Sequence, residues 1–308
     1  MHHYRTPDAA FEALPDFPFE PHYLEWNGLR VHHLDEGAAD APVMLLMHGE
    51  PTWSYLYRNW IPPLAAAGFR VIVPDHVGFG RSDKPIDDDW YVIERHCERL
   101  RHLIDTLDLR TITIVVQDWG GPIGLRQVCD QPDRFQRVVI LNTWLHHQGY
   151  EYSDGIRMWR QMATNPEQLG GDMPTGRIVA GSLRREGHDR SALCAAYDAP
   201  YDGAASKAGA RRFPFCIPFA EPHAGNATSQ QWCFDTLPTL GLPIHLAFGD
   251  ADGVFTWEWA QQWHAQLPGS TLDRIVGSGH FPQEDATADC LEIVLRHGRA
   301  RPPATTAS

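Results

Sequence analysis

The run Val115-Val116-Gln117-Asp118-Trp119-Gly120-Gly121 constrains this chain more than any other. Ile112, Ile114, Val115 and Val116 read as a short buried strand. The apolar run stops at Asp118, two glycines follow, and a helical pattern begins at about Pro122. A strand, a sharp turn and a helix in that order lift one side chain above a sheet, and small residues let the backbone fold tightly beneath it. Here that side chain is a carboxylate, not a hydroxyl or a thiol. A carboxylate that attacks carbon forms an ester, which water can cleave. A serine displacing a leaving group from an alkyl carbon would form an ether, a dead end. Asp118 therefore points to attack on sp³ carbon, as in carbon–halogen or epoxide carbon–oxygen cleavage. The plainer alternative is a strand-end aspartate that caps the next helix.

Strand patterns at 29–34, 43–47, 70–74, 111–116, 137–141, 244–248 and 272–275 alternate in most places with helical ones at 55–66, 91–107, 122–131 and 256–266. Alternation with fully apolar strands such as Val43–Met47 predicts an α/β fold, mainly parallel, with helices on both faces of the sheet. The alternation fails between about His147 and Glu221, where few β-branched runs occur and Ala, Arg and Gly are frequent. An insertion there would lie over the strand C-terminal ends, where open α/β sheets bind ligands. The expected division is a core of 1–146 and 222–308 and a helical cap of 147–221 that forms a lid over Asp118. The Ala-, Pro- and Thr-rich tail Arg299–Ser308 is expected to fray.

A length of 308 residues suits one large domain with such an insertion. The net charge of −13 disfavours nucleic acid and anionic membranes as partners. No apolar run is long enough to span a bilayer, and the first residues lack the apolar core of a secretory signal. The six cysteines are scattered without a C-x-x-C pair and read as reduced and mostly buried, so the expected location is cytoplasmic. His32-His33 and His146-His147 are adjacent pairs, not the i, i+4 spacing of a helical zinc site, and no metal is expected.

Three further features fall in line with the turn. His48-Gly49-Glu50-Pro51 follows the strand at 43–47, where a loop can offer the backbone N–H of Glu50 to an oxyanion, with that of Trp119 as its partner. Gly249-Asp250-Ala251-Asp252 follows the strand at 244–248. Asp252 is the better candidate for an acid that orients a histidine, and Asp250 is the fallback or a turn former. Gly277-Ser278-Gly279-His280-Phe281 follows the strand at 272–275 and offers His280 as general base. Nucleophile, acid, histidine is the chain order of α/β-hydrolases. No G-x-S-x-G occurs. Gly78-Phe79-Gly80-Arg81-Ser82 reads as a loop, since a third glycine and a following helix are missing.

With these residues the chain resembles the haloalkane dehalogenases of the α/β-hydrolase superfamily. The likeness is carried by the runs His48–Arg58, Gly78–Pro85, Val116–Gly121 and Gly279–Phe281, and extends from about Arg5 to Arg296. It implies an α/β-hydrolase fold with a cap, and hydrolysis of small halogenated aliphatic substrates to an alcohol, a halide ion and a proton, with water as co-substrate and no cofactor. It implies halide binding by two indole N–H groups. One is Trp119; the other, in the subgroup with Glu at the third position of H-G-x-P, is a cap tryptophan, here Trp159. Trp144, near the hinge, is the rival. The cap is shorter than in the best-known member, so the preferred chain length does not carry over. An epoxide hydrolase would use the same triad with cap tyrosines such as Tyr150, Tyr152, Tyr197 or Tyr201 as acids. An ester or lactone hydrolase lacks its Ser or Cys here, and a non-catalytic receptor would not need Asp118 and His280 intact.

Overall fold

The computed structural model describes residues 2–298, so the tail at 299–308 lies outside the described residues. Its frame is an eight-stranded sheet. A two-residue ladder pairs β1 (His3–Tyr4) with β6 (Lys84–Pro85) beside it. In chain order the sheet strands are β2 (His22–Trp26), β3 (Leu29–Glu36), β4 (Val43–Met47), β5 (Arg70–Pro74), β7 (Ile112–Val116), β8 (Phe135–Ile140), β9 (Ile244–Gly249) and β10 (Thr271–Ile275). Their spatial order is β10-β9-β8-β7-β4-β5-β3-β2. From β10 to β5 all pairs are parallel, while β3 runs antiparallel to both β5 and β2.

Position in the sheet follows from side-chain pattern. β4 and β7, apolar except for Thr113, are wholly buried and neighbour each other at the centre. β10, with Asp273 and Arg274 in its middle, sits at an edge. β2 escapes the strand pattern at sequence level, yet a signal for it is present. Asn27 and Gly28, both with positive φ, make the two-residue turn that pairs Trp26 with Leu29.

The helices are α1 (Ile61–Ala66), α2 (Ile93–Thr106), α3 (Gly120–Asp130), α4 (Asp154–Ala163), α5 (Thr175–Ser182), α6 (Arg190–Asp198), α7 (Ala208–Arg212), α8 (Ala227–Thr236), α9 (Trp257–Gln266), α10 (Pro282–Asp285) and α11 (Thr287–Gly298). α3 packs on β4 and β7, and α11 packs on β8, β9 and β10. α2 is amphipathic: Ile93, Cys97, Leu100, Leu103 and Ile104 are buried, whereas Glu98, Arg101 and Asp105 face out. One expected helix is divided. The 55–66 pattern becomes a 3₁₀ turn at Ser54–Tyr57 followed by α1, because Pro62 and Pro63 fit only a helix's first turn and so set its start at Ile61. Among the described residues no strand interrupts the stretch between Ile140 and Ile244, which carries α4 to α8.

Candidate active site

Asp118 lies between β7 and α3 with φ of 49°, a left-handed conformation that an aspartate tolerates better than most residues. Three hydrogen bonds hold it there. Its N–H donates to Asn142 O at 2.8 Å, and its carbonyl accepts from Gly121 N at 2.8 Å and from Thr143 Oγ1 at 2.5 Å. The surrounding glycines are required by contact distances. A Cβ on Gly49 would lie 2.3 Å from Asp118 Oδ1, and one on Gly120 would lie 2.6 Å from Met47 O. The turn is therefore built from two loops pressed together.

Glu50 N donates to Asp118 Oδ1 at 2.8 Å. Asp118 Oδ2 lies 3.5 Å from His280 Nε2, and His280 Nδ1 lies 3.0 Å from Asp252 Oδ2. Asp252 is in turn fixed by Asn142 Nδ2 at 2.9 Å and Val254 N at 2.7 Å. Asp250 points elsewhere: it accepts from Arg274 Nε at 2.7 Å and Gly277 N at 2.6 Å and forms the turn. The β9 and β10 loops thus bring Asp252, not Asp250, to the histidine.

Electrostatics separate the acidic groups. Burial, reinforced by the nearby Asp118 charge, raises Glu50 well above the usual carboxylate range and favours its protonated form. Its Oε1 is sealed without a hydrogen-bond partner. Burial alone would lower His280, but the Asp252 charge and the contact with Asp118 outweigh it and hold the imidazolium up to about 10.

A cavity of about 220 Å³ opens over these groups and is lined by Glu50, Asp118, Asp252, His280 and Trp159, among others. Trp159 comes from α4, and its apolar neighbours Met158, Met162 and Ile178 complete the wall on that side. Trp119, at the start of α3, does not share this lining. It is packed edge-on against Trp144 at 4.7 Å and Phe213 at 5.5 Å. Its indole N–H, like that of Trp159, makes no protein hydrogen bond and is not sealed from solvent, whereas Trp144 Nε1 is sealed. The rival Trp144 is also stacked on Phe255 and stands outside the lining. Tyr150, Tyr152, Tyr197 and Tyr201 are likewise outside it. Tyr197 Oη donates to Glu284 at 2.6 Å, and Tyr152 Oη bonds His146.

Several supporting residues escape the sequence reading. Asn142 follows Leu141 just past the end of β8, a polar residue where the apolar run stops, and that position was its one signal. Gln117 Nε2 donates to His280 O at 3.0 Å. Asp285 accepts from Gly279 N at 2.6 Å and also from Arg184 N and Arg185 N, tying the histidine loop to the helical insertion. These partners are far apart in the chain and leave no local pattern.

A family model described as the alpha/beta hydrolase fold matches residues 42–287. The chain is 41% identical over 301 residues to a haloalkane dehalogenase of Psychrobacter cryohalolentis, covering 95% of this chain and 96% of that one. The chain belongs to the haloalkane dehalogenase family. A haloalkane dehalogenase of Mycolicibacterium paratuberculosis is 40% identical over 312 residues, covering 96% of this chain and 98% of the relative. The structure of a haloalkane dehalogenase from Paraglaciecola agarilytica, described as tetrameric, superposes with a TM-score of 0.87 at 33% identity over the whole of both chains. The dehalogenase relatives disfavour the epoxide hydrolase alternative. No helix among the described residues is long and apolar enough to cross a membrane.

Proposed function

We propose that this chain hydrolyses carbon–halogen bonds of small haloalkanes, with Asp118 as nucleophile, His280 as base and Asp252 as its orienting acid. The observation that carries the reading is a carboxylate, not a serine, at a left-handed strand–helix turn, 3.5 Å from a histidine and open to a mainly apolar cavity. Asp118 Oδ2 displaces halide in line. Oδ1, held by Glu50 N, becomes the ester carbonyl oxygen. The Trp159 indole on the cavity wall and the Trp119 indole, next to Asp118 in the chain though outside that lining, are donors with no competing protein partner and meet the charge that grows on the halogen. His280 then takes a proton from water, which attacks the ester carbon, and the oxyanion rests on the N–H groups of Glu50 and Trp119.

The raised His280 pKa fits this sequence of steps. Before alkylation the imidazolium sits between two carboxylates and is not needed as a base. Esterification removes the Asp118 charge and with it part of what holds the proton. The ring becomes a better base at the step that calls for one.

Residues 147–221 act in this reading as a cap that excludes water, supported by the α4 and α5 residues of the cavity wall. A cytoplasmic location is supported by the six free cysteines. The test is halide release and acidification from 1-bromobutane and 1,2-dibromoethane, with styrene oxide and p-nitrophenyl acetate in parallel. Halide release by the native chain and its loss in freshly prepared Asp118→Asn are expected. Turnover of styrene oxide without halide release from either bromide would overturn the reading.

A further inference from the structure

At the opposite end of the two strands that carry Asp252 and His280, three side chains from separate elements converge. His245 stands near the start of β9, Asp273 in β10 and His297 in the last turn of α11. His245 Nε2 lies 3.3 Å and His297 Nε2 3.5 Å from the same oxygen, Asp273 Oδ2. His245 is almost fully buried, and its Nδ1 bonds the Thr271 hydroxyl across the β9–β10 pair. When Nδ1 carries the ring proton and donates it to Thr271, Nε2 presents a lone pair to a carboxylate oxygen. His245 Nε2 indeed has no hydrogen-bond partner although Oδ2 is near. In that tautomer two lone pairs face each other across 3.3 Å, an arrangement that a cation bound between them would relieve.

We propose that His245, Asp273 and His297 form a binding site for a divalent transition-metal ion of the zinc type, remote from the catalytic cavity. Zinc takes imidazole nitrogen and carboxylate oxygen at roughly 2.0–2.2 Å in a tetrahedron, whose edges are then about 3.3–3.6 Å. The two nitrogen–oxygen separations fall in that range. Thr271 on Nδ1 supplies the outer hydrogen bond that metal-bound histidines ordinarily have. Two imidazoles with one carboxylate favour a borderline ion over calcium or magnesium. Arg296 donates to Asp273 Oδ2 at 2.6 Å and takes one of that oxygen's lone pairs, leaving the other for an ion. The rings stack with centroids 3.5 Å apart and planes 8° from parallel. An ion bound in the plane of each ring requires them to splay, and His297, partly exposed at the helix end, is the ring free to turn. The ion would clasp the last turn of α11 to the edge of the sheet, joining residues too far apart in the chain for any spacing motif to reveal.

The test titrates chelator-treated, untagged full-length protein with Zn²⁺ by calorimetry and records the visible spectrum with Co²⁺. One saturable Zn²⁺ site, a rise in Tm on saturation and the d–d bands of a tetrahedral Co²⁺ complex are expected. His297→Ala and Asp273→Asn should each weaken Zn²⁺ binding at least tenfold and abolish those bands. Circular dichroism and halide release of both variants in the absence of metal should match the native chain, which separates lost ligands from lost fold. An unchanged Zn²⁺ isotherm in folded His297→Ala, or no saturable binding by the native chain, overturns the proposal.

Discussion

Asp250 and Asp252 stand two positions apart and serve different partners. Asp250 caps the turn and pairs with Arg274, whose side chain is about half exposed, and such surface pairs contribute roughly 0–1 kcal/mol. Asp252 is buried against His280 Nδ1. Asp252→Asn is therefore expected to lower turnover by as much as about 10⁴, the scale seen when a triad histidine loses its orienting acid. Asp250→Asn should leave turnover near the native level. Steady-state halide release from the two variants checks the ranking, and the reverse order would reassign the acid. His280 divides the reaction itself. His280→Phe should release about one halide per active site and stop, with the alkyl mass retained on Asp118 by peptide mapping. A serine-type enzyme, whose histidine makes the nucleophile, would accumulate no adduct. Repeated turnover by His280→Phe would contradict the division of labour.

The elements matter through the way their ends meet. α4 is capped by Ser153, whose hydroxyl accepts from Ile156 N and also donates to Val254 O at 2.7 Å. Gly155 lets the helix press on the loop after Asp252, since a Cβ there would lie 1.9 Å from Gly253 O. That seating puts Trp159 on the cavity wall. Trp159→Phe keeps the aromatic body and removes the donor. Saturable quenching of indole fluorescence by bromide should be lost, and dehalogenation should fall by roughly 10²–10³, as for one lost transition-state donor. Native rates in Trp159→Phe with a deficit in Trp144→Phe would instead make Trp144 the donor. A second seam joins the helical insertion to the core. Glu284 receives the Arg58 guanidinium and the Tyr197 hydroxyl, and the adjacent Asp285 receives backbone N–H groups from both Gly279 and Arg184. One short segment thus holds the histidine loop and the wall above it.

For the whole molecule, the buried histidines set the response to pH. Burial pushes His33 down to about 3, His48 to about 4 and His96 to about 3, so all three are neutral in the fold. In the unfolded chain they take up protons near ~6.5. Their contribution to stability is therefore complete above ~6.5 and is lost as pH falls from there toward about 3. His280 acts in the other direction. Its raised pKa contributes stability that is complete below ~6.5 and lost as pH rises toward about 10. Tm should peak close to neutrality and fall on both sides. Thermal melts from pH 4.5 to 9.5 check this, and a flat profile from 7 down to 4.5 would contradict the acid limb.

Much of this protein is local and so was open to the sequence. Apolar runs at β4 and β7 report burial on both faces, because a strand at the centre of a covered sheet meets no water. Asp118 before two glycines reports a tight turn, because only small residues let two loops approach that closely. The order Asp118, Asp252, His280 follows from which strand ends carry polar residues. Other features depend on distance through space, and only the tertiary structure decided them. It set Asp252, rather than Asp250, against His280 by the direction of two loops. It put Trp159 on the cavity wall and sealed Trp144 away, a matter of helix seating that residue type cannot reveal. It brought Asn142, Gln117 and Asp285 behind Asp118, Asp252 and His280 from positions with no common spacing. It also gathered His245, Asp273 and His297, because a parallel sheet sets side by side residues that the chain keeps far apart.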